Sequence, residues 1–191
     1  MMQDFFEPGA VFHVFNRGNN QEDIFIEERN YDFFLALMQK YLLPIADIYA
    51  YCLLRNHFHI ALRIKDEEFL PDKFRVKSYL AFSNLFNAYT KAVNKAYNRK
   101  GSLFQEHIHR NRVEDEDYLI QLIAYIHLNP VKHHFTDNHK AYRYSSYQAY
   151  MSDKPTHIHR EYIMNILGDK TNFEYWHDQN RLNLENKIND I

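Results

Sequence analysis

The chain has 191 residues, 46% of them hydrophobic, with four Gly, five Pro and a formal net charge of −2. That suits one domain with a buried core and a decorated end, and excludes a disordered or low-complexity chain. The single cysteine, Cys52, excludes an internal disulfide, and no run of about 18 apolar residues is available to cross a membrane.

The first residues lack the basic-then-apolar order of a signal peptide, so a cytoplasmic protein is expected. Charge is segregated. Residues 55–113 carry 12 Lys and Arg against five Asp and Glu, whereas the rest carries 11 against 20. A basic middle fits either a solvated helical face or a surface for an anionic partner. Fifteen Phe and 15 Tyr fill a core or stack on bases equally well.

Residues 10–17 predict a strand, closed by the turn cluster Gly18-Asn19-Asn20. Tyr31, Phe34, Leu35, Met38 and Leu42 recur at helical spacing over 28–42, and Pro44 ends that helix. Strands follow at 47–54 and 57–64, joined by Arg55-Asn56 as a hairpin. A long helix is expected over 73–98, then a strand over 102–113. A helix at about 116–128 is stopped by Asn129-Pro130, and a helical tail begins near 140. The order β-α-β-β-α-β predicts an α+β, ferredoxin-like antiparallel sheet with two helices on one face and the other face free for a site.

Strand 57–64 alternates. Phe58, Ile60, Leu62 and Ile64 fall on a core face, and His57, His59, Ala61 and Arg63 on the other. Two imidazoles on one face can converge on a divalent ion. His-x-His is weak evidence in a chain of 12 His, and His107-x-His109 and His157-x-His159 also occur. The 116–128 helix buries Leu119, Leu122, Ile123 and Ile126, with Tyr125 and Asn129 one turn apart on its flank. Taken alone, these two read as a core-margin tyrosine and a helix cap. Taken with the histidines, they suggest an ion held by His57, His59 and Asn129 beside a tyrosine nucleophile, suited to phosphodiester chemistry. Lys91, Lys95 and Arg99 recur every four residues as a phosphate track or a plain solvated edge.

Five blocks, in order, resemble the single-tyrosine HUH transposases and their REP-associated branch: His13–Asn20, Tyr51–Ile60, Gly101–Gln105, Tyr125–Lys132 and Tyr144–Tyr147. The resemblance spans about residues 10–150. It implies a catalytic domain over 1–150 with a helical extension over 151–191. By resemblance, Tyr125 is the nucleophile, and His57, His59 and Asn129 hold Mg2+ or Mn2+. The partner is single-stranded DNA carrying a hairpin, and the protein is a monomer or a homodimer. Arg17, Asn19 and Asn20 are implied to lie near the site, with His107, His109, Arg110 and Arg112 on a DNA-contacting segment. Two positions depart from the family pattern: Arg55 stands where proline is common, and Val131-Lys132-His133-His134 replaces Val-Arg-Ala-Gly. Two other readings remain: a relative that binds hairpin DNA or RNA without cutting it, and a replication-initiator or relaxase nuclease of the same HUH class.

Overall fold

Phe58, Ile60, Leu62 and Ile64 are all fully buried, as their alternation along one strand requires. They belong to a computed structural model that describes residues 6–189, with side chains through residue 182. The elements run β1 (Val11–Arg17), α1 (Glu28–Tyr41), β2 (Ala46–Leu54), β3 (His57–Ile64), α2 (Asp72–Arg75) and α3 (Tyr79–Ala96). They continue as β4 (His109–Val113), α4 (Glu116–Lys132), α5 (Tyr147–Met151), α6 (Arg160–Leu167) and α7 (Lys170–Asn189). The strands form one sheet in the order β2-β3-β1-β4, with every neighbouring pair antiparallel. This is the ferredoxin-like arrangement expected from the element order.

The core face of the sheet carries Phe12 and Val14 from β1 beside the four apolar residues of β3. Helices α1 and α3 cover it, with Phe34 and Phe86 ring centroids 5.3 and 5.6 Å from Phe58. The other face is not free, contrary to expectation. Helix α4 packs across β2 and β3 there, because its stripe of Leu119, Leu122, Ile123 and Ile126 must also be buried. What stays open is a margin along β1 and β4.

Three predicted elements change. The 73–98 helix is interrupted between α2 and α3, where buried Ser78 spends its hydroxyl on the Phe6 carbonyl, 3.0 Å away. The 102–113 strand shrinks to β4 because residues 103–105 are taken by the turn after β1: Asn19 N–H donates to Leu103 O (2.9 Å) and Gln105 N–H to Arg17 O (3.0 Å). The third helix does not stop at Asn129-Pro130 but continues to Lys132 with Pro130 inside it. Tertiary burial of Leu128, Asn129 and Pro130 outweighs the one hydrogen bond proline forfeits.

The 144–159 stretch covers the outer edge of β2, which would otherwise be an open template for strand pairing. Leu53 N–H donates to Tyr144 O, Ser146 N–H to Tyr51 O and His159 N–H to Ile48 O, at 2.9, 3.0 and 2.8 Å. The tail then reaches α4 through a buried polar chain. His177 Nδ1 lies 2.7 Å from Phe173 O, which can only accept, so that nitrogen carries the hydrogen. His177 Nε2 then accepts from His127 Nδ1 at 2.9 Å, and His127 Nε2 accepts from the Ser146 hydroxyl at 2.8 Å. Ser146 Oγ in turn takes the Tyr51 N–H at 2.9 Å. Every direction is fixed, and both imidazoles are neutral because burial pushes their pKa values down.

Gly18 holds the turn after β1 against the β2–β3 hairpin: its N–H donates to Asn56 O at 2.8 Å. A Cβ there would stand 1.9 Å from the Glu22 carbonyl oxygen. Gly18→Ala should therefore lower the urea midpoint by the equivalent of about 1–3 kcal/mol, with the denaturant slope unchanged. An unshifted midpoint would show that the turn yields without strain.

Candidate functional site

The register of β1 against β3 builds the site. It sets Arg17 opposite His57, Phe15 opposite His59 and His13 opposite Ala61, all on the face that α4 approaches. His59 is buried, and its Nδ1 lies 2.9 Å from His13 Nε2. His57 Nδ1 lies 2.8 Å from Asn56 Oδ1, an acceptor, so Nδ1 carries the hydrogen and Nε2 keeps its lone pair. In the tautomer in which His59 Nδ1 donates to His13, its Nε2 is left with a lone pair as well. Holding one ring nitrogen by a hydrogen bond and offering the other is how histidines are oriented toward a metal.

Helix α4 brings the other groups. Asn129 is fully buried, and its Nδ2 donates to Tyr125 O at 2.9 Å. Its Oδ1 faces His57 closely enough to favour the protonated ring, yet has no well-formed hydrogen bond. A buried carbonyl oxygen without a partner costs roughly 1–3 kcal/mol, so something absent from the protein atoms should satisfy it. A divalent cation between two imidazole lone pairs and this oxygen fits that requirement. Among the described residues, no group of three or more His, Cys, Asp or Glu is arranged to hold a metal.

The Tyr125 ring is half-buried and meets His59 and His13 edge to face, at 5.5 and 6.1 Å. Because α4 runs on through Pro130, Lys132 returns over that ring with Nζ 4.8 Å from its centroid. The next residue, His133, lies 4.7 Å from the His57 ring. Two hollows meet at His59. One is lined by Arg17, His57, His109 and His133, and the other by His13, Asn111, Gln121 and Tyr125.

The structure therefore brings together His57, His59, Asn129, Tyr125, Arg17 and His109, whose ring stacks on Phe15 at 5.1 Å. It does not gather the remaining candidates. Arg110 and Arg112 alternate onto the opposite sheet face, where Arg110 sits over the Phe6 ring and Arg112 pairs with Glu7. His107 lines a separate cavity beside α3. Asn19 and Asn20 occupy the turn that secures residues 103–105 and line neither hollow. Lys91 and Lys95 are exposed on α3, beyond the sheet from Tyr125. Arg99 is engaged by Asn94 and Glu22. His157 and His159 are exposed in the tail. His13, Asn56 and His133 were not singled out from sequence, because only strand register and the helix end bring them in.

No family model matches the chain, and no curated protein matches it. Among solved structures, it resembles that of a REP-associated tyrosine transposase bound to a REP hairpin, with a TM-score of 0.61 and 14% identity. The alignment covers 81% of this chain and 88% of that one. The likeness shows the fold. No helix among the described residues is long and apolar enough to cross a membrane.

Burial pushes His13 and His57 down to about 4, His59 to about 2, His139 to about 4 and His177 to about 3. The unfolded chain titrates its histidines near 6.5. Above that pH both states are neutral and these groups do not alter stability. Below it, the unfolded chain takes up protons that the folded chain refuses, so stability falls as pH drops from about 6.5 toward 4. Urea midpoints should decline through that window, and His177→Gln should flatten the decline. A wild-type profile level from pH 7 to 4.5 would contradict these buried neutral rings.

Proposed function

We propose that this protein cuts and rejoins single-stranded, hairpin-bearing DNA, with Tyr125 as nucleophile beside Mg2+ or Mn2+ held by His57, His59 and Asn129. The observation that carries this reading is the partnerless Asn129 Oδ1, buried beside His57, whose ring lies 5.4 Å from that of His59; both imidazoles have Nδ1 already engaged. A bound divalent ion would supply a Lewis acid that polarises the scissile phosphodiester.

The residues of the chain do the rest. Tyr125 Oη attacks phosphorus, a P–O bond to the tyrosine forms, and the bond to the departing 3′ oxygen breaks. The phenolic proton passes to solvent in the open hollow, and the leaving oxygen takes one up. The phosphotyrosine ester keeps the bond energy, so attack by another 3′-hydroxyl reverses the step and rejoins strands. The Lys132 ammonium over the Tyr125 ring puts a cation where it can meet the phosphate under attack. Arg17 and His109 border the His57–His59 hollow and suit the flanking phosphates. Lys91 and Lys95, far from the nucleophile, would meet only a more distant part of the strand.

Purified protein mixed with a hairpin oligonucleotide and Mn2+ should give a covalent protein–DNA band on a denaturing gel. EDTA should abolish it, as should Tyr125→Phe. His57→Ala should abolish cleavage while hairpin binding survives. Persistence of the band in Tyr125→Phe would remove the nucleophile assignment. Binding with no band under any metal would favour the non-cutting reading. Lys132→Met should slow band formation about tenfold or more, as loss of a cation beside the attacked phosphate requires.

A further inference from the structure

Between Lys77 and Lys91 the chain has 13 consecutive residues without a charged side chain. Twelve of them lie in α3, a surface helix whose outward face would ordinarily carry Lys, Arg and Glu. Its inner stripe is Phe82, Leu85, Tyr89 and Val93. The adjacent stripe, Tyr79, Ser83, Phe86, Asn87 and Thr90, faces a cavity of about 550 Å³. That volume lies in the range of roughly 300–1,000 Å³ typical of small-ligand sites.

The cavity has a firm apolar floor and a neutral polar wall. Phe86 is fixed against Phe104 and Phe58, at 5.1 and 5.6 Å. Tyr79 is 37% exposed, and no ring contact or hydrogen bond engages it among the described residues. Ser83, Asn87 and Thr90 contribute hydroxyl and amide groups from the helix. The charged lining residues, Glu106 and Arg110, come from the opposite wall.

Position completes the case. Asn16 and Gln105 line this cavity and also the His57–His59 hollow, and Asn16 Nδ2 donates to Gln105 O at 3.3 Å. The two spaces share one wall, past the end of the short β4.

We propose that this cavity receives one unpaired base of the substrate strand, adjacent to the nucleotide at the cut. The inference rests on the reading given under Proposed function and adds a base-binding subsite to it. A base is flat and neutral, with donors and acceptors on its edge. Amide and hydroxyl side chains complement that edge, and aromatic rings complement its face. A phosphate would instead call for lysine or arginine on the α3 stripe, which has neither.

The test uses full-length Tyr125→Phe protein, so that no DNA is consumed, and fluorescence anisotropy. The ligands are a hairpin oligonucleotide with a single-stranded flank, the same hairpin without the flank, and a series with one flank base at a time replaced by an abasic site. One abasic position should weaken binding roughly tenfold, the scale of a lost base–aromatic stack. Adding Tyr79→Ala or Asn87→Ala should weaken the intact flanked ligand similarly and erase the abasic effect at that one position. Binding of the flankless hairpin should not change. Both residues are exposed, so their loss leaves the core intact. If the variants bind flanked DNA like their parent, or keep the full abasic effect, the subsite is wrong while hairpin binding still supports the wider reading. If the parent binds neither hairpin, the wider reading fails and the subsite with it.

Discussion

The pairing of β1 with β3 is the constraint on which the site depends. A shift of one residue would turn His13, Phe15 and Arg17 to the other sheet face and leave His59 without its partner. Several local features hold the register. Phe12 and Val14 can be buried only in this phase, and the turn after β1 is fastened to the β2–β3 hairpin through Gly18 and Asn56. The same turn captures residues 103–105, which sets where β4 begins and which of its residues share the face of the histidines. Packing, turn chemistry and site geometry therefore agree along one strand pair, the kind of consistency that specifies a single structure.

Much of this was legible in the sequence. The alternation in 57–64 correctly separated the histidines from the core, because a strand with one apolar face has only one phase that buries it. The helical stripe of Leu119, Leu122, Ile123 and Ile126 correctly placed Tyr125 and Asn129 on a shared flank. Less legible was anything set by competition between distant segments. Residues 102–108 alternate like a strand, but the carbonyls and amides of the β1 turn claim part of them first. Pro130 carries a strong local stop signal, yet the helix passes through it because Leu128 and Asn129 are needed in the interior. The consequence for the site was large: Lys132 and His133 enter only because the helix continues.

The basic middle of the chain also reads differently once folded. Its charges do not form one surface. Strand alternation sends Arg110 and Arg112 to the face opposite His109, and Arg99 is committed to Glu22 and Asn94. Among the described residues, the positive groups beside Tyr125 and His57 include Arg17 and Lys132. Local charge balance measures composition, whereas the field at a site depends on which residues share a face and which are already paired.

The polar chain from Tyr51 through Ser146, His127 and His177 to Phe173 has a mechanical consequence. It joins α7 to the helix that bears Tyr125, and Ser146 joins both to the sheet edge. Each link has a fixed donor and a fixed acceptor, so sliding α4 along the sheet would break several bonds in a dry interior at once. Helix α4 and the tail are therefore tied together as one unit on the sheet. Any adjustment of Tyr125 toward a ligand falls to the rotation of its own side chain.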